Sequence, residues 1–328
     1  MMSTFGRTNV KPDVELVQPP SDSVSTILFS PTQDILATGD WASEVRLYDV
    51  NSQGQSQPRA MYKHNAPVLA LAWSKSGTVL FSASCDKTVQ MFDINNAAQG
   101  SSQVAEHAAP ISCCLTITAG NGLEYLVTAG WDKKLKYWDL STRTLWGEVD
   151  LGERAYTMDA TDKFLVVGTA DRKIHLIELT SPNIIRKTID SPLKWQTRVI
   201  RCFPTQDAYA IGSIEGRVAI QYPYMESKNY SFKCHRLDIP TGTMPGTPAT
   251  ASSQHVFAVN TIAFHKTLGT FCTGGTDGTI TFWDGVARTK LKAYSAKELN
   301  NGNHEARPPE FGIPIVSATF NHNQEIMA

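Results

Sequence analysis

Long apolar runs are absent from this 328-residue chain. A run such as FLVV at residues 164–167 is a small fraction of the ~20 residues that a membrane-crossing helix needs. The opening MMSTFGRTNVKPDVELVQPP has no apolar stretch of signal-peptide length. The chain therefore reads as soluble, without membrane insertion. Charge of one sign is missing too: the formal net charge is −1 and the isoelectric point is near 6.7, so any attraction to nucleic acid or lipid must come from a local patch. The six cysteines (Cys85, Cys113, Cys114, Cys202, Cys234, Cys272) include no CxxC pair and no Cys/His zinc spacing. Most lie in apolar, strand-like contexts where a reduced thiol acts as a small hydrophobe, which fits an intracellular, reducing compartment. A Gly-rich phosphate loop is lacking as well, because GGTDG at residues 274–278 has neither the Lys-Ser/Thr pair nor the helix that must follow. Neither a cofactor nor a metal is expected.

What the chain does contain is strand text. Short alternating apolar stretches (VLALAW, TVLFSAS, KLKYWDL, KFLVVGTA, KIHLIEL) are separated by Gly, Asn, Asp, Ser and Pro turns, and no amphipathic helix of ordinary length interrupts them. Residues 128–140 read TAGWDKKLKYWDL, with echoes in SASCDKTVQMFDI at 82–94 and TGGTDGTITFWDG at 273–285. Aligning on those endings gives Tyr48-Asp49, Phe92-Asp93, Trp138-Asp139, a degenerate Ile177-Glu178, Gln221-Tyr222 and Trp283-Asp284. The period is roughly 40–46 residues, with one longer step before Trp283, as expected for four-stranded propeller blades.

Over nearly its whole length the chain resembles the WD-repeat family of β-propellers. An Asp stands seven residues before the terminal acid (Asp86, Asp132, Asp171, Asp277), a Ser or Thr four residues before that Asp in three cases (Ser82, Thr128, Thr273), and a His lies upstream (His64, His107, His255). The separation from His64 to Asp86 equals that from His255 to Asp277. The resemblance implies a buried network in which the His bonds the turn Asp and the hydroxyl, and a third-strand Trp bonds the hydroxyl in turn. His107, Thr128, Asp132 and Trp138 form one full set, and His255, Thr273, Asp277 and Trp283 another. The first blade departs with Ala42 at the turn-Asp position, and the second with Phe92 in place of Trp. In composition the trio also matches a hydrolase triad, but a triad is built once, beside one oxyanion hole. A trio that recurs blade after blade reads as a fastener, since buried polar groups must find partners. An enzyme is accordingly the disfavoured reading, and no catalytic residue is assigned.

The expected fold is thus an all-β, seven-bladed WD-repeat β-propeller in one domain, residues 14–328, after a flexible segment 1–13. Six blades are marked. A seventh begins with IPIVSATFNHNQEIMA at residues 313–328 and runs out after a first strand and the start of a second, so the last blade is expected to be incomplete or the chain truncated. VELVQPP at residues 14–20 is placed to supply a closing strand. Two segments, 237–254 and 295–312, are rich in Pro, Thr, Ser, Gly or polar residues and read as long exposed loops.

A blade says little about function. More telling are SPLKWQTRVIRCFP at 191–204, GSIEGRVAIQY at 212–222, NYSFKCHR at 229–236, FWDGVARTKLK at 282–292 and GDWASEVRLYDV in the first blade. Together they resemble the small family that contains the nuclear-pore mRNA export factor and its paralogue, the Bub-type spindle-checkpoint adaptor, with the export branch favoured. The resemblance implies a non-enzymatic scaffold whose top face receives an acidic GLEBS segment from an FG-nucleoporin. It also implies a monomeric propeller in a heterodimer, at the nuclear pore and nuclear envelope with some cytoplasmic presence. Arg198 and Arg217 would anchor glutamates of that segment, because a guanidinium offers forked donors and stays charged when partly dehydrated. The bland alternative is that both arginines pair with nearby acids such as Glu215 or Asp207. A second surface, Tyr230 and Phe232 with Trp283, Arg288 and Lys290, joins aromatics to basic groups as mRNA or a ribonucleoprotein partner would need, unless these are strand packing and solvated charge. Lys133, Lys134 and Lys136 read as a solvated face. The kinetochore adaptor, binding kinase GLEBS segments, is the alternative function.

Overall fold

The computed structural model describes residues 13–118, 122–238, 254–299 and 312–328. The segment 1–12, and the middles of the two expected loops, 239–253 and 300–311, lie outside the described residues. Six four-stranded antiparallel sheets follow one another, at residues 24–63, 68–106, 111–150, 155–190, 197–233 and 259–294, each with its strands in sequence order. We number these blades 1 to 6. The repeat marks fall at the ends of third strands: Asp93 closes Thr88–Asp93, Asp139 closes Lys134–Asp139, Glu178 closes Lys173–Glu178 and Asp284 closes Ile280–Asp284. The protein is an all-β propeller.

Burial explains why the strand text is uneven. Second strands such as Ile35–Asp40 and Phe164–Thr169 are buried at every position, because a neighbouring blade covers each face. They open on continuous apolar runs, ILA and FLVV, and not on alternations. Fourth strands lie at the rim, and Thr144–Asp150 is mostly exposed. The core is accordingly a set of layers between blades. Val127, Leu135 and Tyr137 of blade 3 pack on Leu165, Val167 and Ile177 of blade 4, and Val45 and Leu47 of blade 1 pack on Leu71 and Leu80 of blade 2. Each such side chain contributes about 1.5–3 kcal/mol, so Leu135→Ala would open a cavity costing about 2–5 kcal/mol.

First strands of successive blades lie side by side around the centre, and side chains tie them. Ser25 Oγ donates to the Val68 carbonyl at 2.5 Å, Ser112 Oγ to that of Ala155 at 2.7 Å and Thr116 Oγ1 to that of Trp73 at 2.8 Å. The amides of Ile200 and Cys202 donate to Thr157 Oγ1 and to the Asp159 carboxylate. Residues 312–328 lie between blades 6 and 1. The Ala318 amide donates to Thr261 Oγ1, and the Ile27 amide to Ser317 Oγ. Their one bridge pairs Phe320 with Met327. Residues 13–20 pair with no strand. The Val17 amide bonds Ser56 Oγ, the Gln18 carbonyl accepts the Tyr48 hydroxyl, and Leu16 packs with Phe29, Tyr48 and Ile326.

Two expectations need correction. The span 237–254 is not loop throughout, because its ends pair as a ribbon, Arg236–Asp238 with Gln254–Val256. The span 295–312 begins with one helical turn, Ala296–Leu299. Among the described residues no helix is long and apolar enough to cross a membrane, and all six cysteines are free thiols.

Candidate functional site

The repeated trio comes first, because it decides which polar groups are already engaged. His64 Nδ1 donates to Asp86 at 2.9 Å and its Nε2 accepts the Ser82 hydroxyl at 2.8 Å. His107 bonds Asp132 at 2.9 Å and Thr128 at 2.7 Å, and Trp138 Nε1 donates to Thr128 Oγ1 at 2.8 Å. Both imidazoles are 0% exposed. Burial holds them below the ordinary histidine range despite the facing carboxylates, which keeps the neutral Nδ1–H form that this bonding needs. Burial also pushes the Asp86 and Asp132 carboxyls up, but hydrogen bonds outweigh it. Thr88, the Asn65 amide and His64 hold Asp86 low, and His107 with the Ala108 amide holds Asp132 low. The hydroxyls are buried and saturated, so these trios fasten strands.

Blade 6 corrects the sequence reading. The histidine that bonds Asp277, at 3.0 Å, and Thr273, at 2.9 Å, is His235 and not His255. Trp283 Nε1 completes the set on Thr273 at 3.0 Å. The ribbon lies between the histidine and its blade, stretching the separation to 42 residues against 22 in blade 2. His255 sits on that ribbon opposite Leu237, exposed, and its matching separation from Asp277 is accidental. Gly275 leaves room for the approach, because a Cβ there would strike the His235 ring and the Asp277 carboxylate. In blade 2 the donor that Phe92 lacks comes from Tyr62, whose hydroxyl bonds Ser82 Oγ at 2.9 Å while its ring stacks on Phe92. In blade 1, where Ala42 removes the turn Asp, the buried Glu44 pairs with Arg46 at 2.7 Å and Lys63 at 2.8 Å. Lys63, then Arg46, hold its carboxyl down to about 2.

Blades 4 and 5 carry no such trio. In the register of Ser82 and Thr128 stand Val167 and Ile211, both fully buried. The backbone position of His64 and His107, whose amides bond the preceding blade's turn, is held by Leu151 and Ser191. The turn acids Asp171 and Glu215 therefore bond no histidine among the described residues: Asp171 accepts the Thr169 hydroxyl, and Glu215 faces Arg217. Arg198 occupies a β-bulge between Thr197 and Val199. The equivalent bulge residues Ser25, Ser112 and Asn260 bond a neighbouring carbonyl, whereas Arg198 is exposed and its guanidinium has no partner among the described residues. Arg217 opens the third strand, with its Nε 3.9 Å from Glu215, too far for a hydrogen bond. Asp207 is engaged by Thr205 at the opposite end of the blade. Around the two arginines, Arg172 Nη1 donates to the Lys194 carbonyl at 2.7 Å, the Lys194 amide to Glu215 at 3.0 Å and Arg236 Nη2 to the Glu215 carbonyl at 2.6 Å. Trp195 is 50% and Ile214 42% exposed, and Tyr156 lies open on the next bulge. The face is basic with exposed apolar side chains, suited to an acidic peptide with hydrophobic anchors. The segments that carry Arg198, Arg217 and Tyr230 also hold Trp195, Ile214 and Arg236, which the sequence pattern does not single out; a Trp in a turn segment containing Pro and Lys is the signal that points to them.

The second surface assembles differently from its sequence reading. Phe232 packs on Trp283 with ring centroids 4.5 Å apart, both inside the blade 5–6 layer, and the Trp283 N–H is already used. These rings are half-buried packing. Tyr230 is half-buried in the same layer, under the Arg288 guanidinium at 4.3 Å and bonded to the Gly285 carbonyl, and Lys290 is exposed. Lys133, Lys134 and Lys136 pair with Glu153, Glu148 and Asp150. A cavity of about 740 Å³ opens at the far end of the first strands from Arg198, lined by Trp73, Asp159, Arg201, Phe203 and Phe264. It holds none of the sequence-predicted site residues.

Comparison with known proteins agrees with this architecture. The WD domain, G-beta repeat model matches residues 14–49, 56–93, 101–139 and 246–284. The mRNA export factor GLE2 of Chaetomium thermophilum is 43% identical over 99% of this chain and 85% of its own length. The Poly(A)+ RNA export protein of Schizosaccharomyces pombe is 42% identical over 100% and 89%. Protein Rae1 of Drosophila melanogaster is 41% identical over 100% and 90%.

Proposed function

This chain belongs to the WD-repeat mRNA export factor family, and from that premise we propose that it is a non-enzymatic adaptor of mRNA export. It holds the acidic GLEBS segment of an FG-nucleoporin across the turns of blades 4 and 5, as one propeller in a heterodimer at the nuclear pore. The observation that carries this reading is Arg198, without a partner among the described residues, near a loosely held Arg217 and bordered by exposed Trp195 and Ile214. Elsewhere on the same side of the ring the equivalent polar groups are bonded within the fold. Forked charge-assisted bonds from the two guanidiniums to glutamates fix the segment, and the apolar side chains fill the space between them. Residues 313–328 are the start of a seventh blade that closes the ring toward blade 1. The Arg288–Tyr230 stack is the remaining candidate for RNA contact, through phosphate and base together.

Calorimetric titration with two synthetic GLEBS peptides, nucleoporin-type and checkpoint-kinase-type, tests the proposal. Tighter binding of the nucleoporin peptide, lost on Arg198→Ala with Arg217→Ala, is the expected result. Tighter binding of the kinase peptide would move the chain to the kinetochore, and binding of neither would remove the adaptor reading.

A further inference from the structure

The text Ser191-Pro192-Leu193-Lys194 occupies the bend between the strands Ile185–Asp190 and Thr197–Cys202, at the edge of the basic face. Ser191 stands where blades 2 and 3 place a histidine: its amide donates to the Arg172 carbonyl at 2.8 Å, as those of His64 and His107 do to Ser43 and Lys87. The histidines bury their polar atoms against a turn Asp. Ser191 is half-buried, and among the described residues its Oγ does no more than accept the Leu193 amide at 3.3 Å, which leaves the hydroxyl proton uncommitted there. Pro192 and Lys194 are exposed. A proline after the acceptor fixes an N–H-free, extended approach, and a cation three residues on offers a second point of recognition. Both are what a proline-directed Ser/Thr kinase reads.

We propose that Ser191 is a phosphorylation site that closes the acidic-peptide face; the effect on docking rests on the preceding reading, whereas the site itself does not. The transfer forms an Oγ–P bond to the γ-phosphorus of ATP as the bond to the β,γ-bridging oxygen breaks. ADP leaves with that electron pair, and the hydroxyl proton passes to the kinase's base. The product is a dianion with three acceptor oxygens. Next to it, the Arg172 guanidinium is held by the Lys194 carbonyl, and the Lys194 amide holds Glu215, the acid facing Arg217. A phosphate is the stronger partner for Arg172. It draws that guanidinium away from the bend, occupies the local positive field and repels an incoming glutamate. Because Leu193 is buried, the bend must open for the kinase. A seated peptide would hold it shut, so docking and modification exclude one another.

The folded full chain is incubated with a proline-directed kinase and ATP, and the phosphate is mapped by mass spectrometry. One phosphate on Ser191 is expected, absent in Ser191→Ala and strongly reduced in Pro192→Ala, which keeps the hydroxyl. The phosphorylated chain should bind the nucleoporin-type peptide at least about tenfold more weakly. Phosphorus NMR should place the second ionisation of this phosphate below that of an isolated phosphopeptide, with recovery in Arg172→Ala. No phosphate at Ser191, or an ionisation indifferent to Arg172, overturns the proposal. If the unmodified chain binds no acidic peptide, the adaptor reading fails, and the NMR titration still decides this one.

Discussion

Blades 2 and 3 and blades 4 and 5 share one backbone and use it differently. In the first pair a histidine, a hydroxyl and a turn Asp are buried and bonded to one another. In the second pair the same positions hold Leu151 and Val167, or Ser191 and Ile211, so apolar packing fastens the strands. The turn above is then released from its structural duty. At the edge of the ring Arg172 is consequently exposed and Arg217 is half-buried with its acid 3.9 Å away, groups able to exchange partners, whereas Asp86 and Asp132 are held by their histidines. The same turn acts as a fastener where its acid meets a histidine and as a binding surface where it does not.

If that division is right, damage to the two regions should separate binding from stability. The largest effect is expected at the binding side. Arg217→Ala should weaken the acidic peptide by about 2–5 kcal/mol, because a partner carboxylate is left without its cation, with the chemical-denaturation midpoint unchanged. His107→Ala should do the reverse, lowering stability by about 2–3 kcal/mol by leaving Thr128 and Asp132 without their shared partner while calorimetry shows normal peptide affinity. A loss of both properties in either variant would erase the distinction.

Glu44→Gln sharpens the picture for blade 1, where an ion-pair cluster stands in for the trio, and should cost about 1–2 kcal/mol at neutral pH. Its folded carboxyl lies near 2 because of Lys63 and Arg46, below its unfolded value. Its stabilisation is therefore complete above about pH 4.5 and is lost as pH falls toward 2, and the variant should show a shallower decline over that window. His64 and His107 are also depressed, by burial. The stability they contribute is present above the unfolded value of about 6.5 and is lost as acidification proceeds below it. A denaturation midpoint lower at pH 5.5 than at pH 7.5 is the expected outcome, and a flat profile would place the trios outside the cooperative core. The smallest effect is expected for Lys134→Ala, an unchanged denaturation midpoint, since exposed ion pairs contribute little; a measurable shift would show that this rim is not merely solvated.

Much of this organisation was legible in one dimension. Period, strand text and the aromatic-acid endings placed six blades, because each blade repeats the same burial profile and the same turn. The trios of blades 2 and 3 were legible because histidine, hydroxyl and acid lie within one uninterrupted repeat. His235 was not, since the ribbon separates it in sequence from its blade, and only the packing of blade 6 against blade 5 brings it to Asp277. Tyr62 was missed because the donor to Ser82 comes from the fourth strand of the preceding blade.

The candidate face divides in the same way. Arg198 and Arg217 stand out in the text, but the distance of Arg198 from any acid and the long 3.9 Å pairing of Arg217 with Glu215 depend on how the strands pack, and no spacing encodes that. Trp283 and Phe232 looked like a stacking surface and are packed into an inter-blade layer, because the sequence reports a side chain's chemistry and not which face a neighbour covers. Sequence alone determined the repeat, the blade boundaries and the composition of the fasteners, all local consequences of strand periodicity and turn chemistry. Tertiary structure decided which histidine serves which acid, which aromatics are buried and how firmly each arginine is paired, because each depends on how strands and neighbouring blades pack in space.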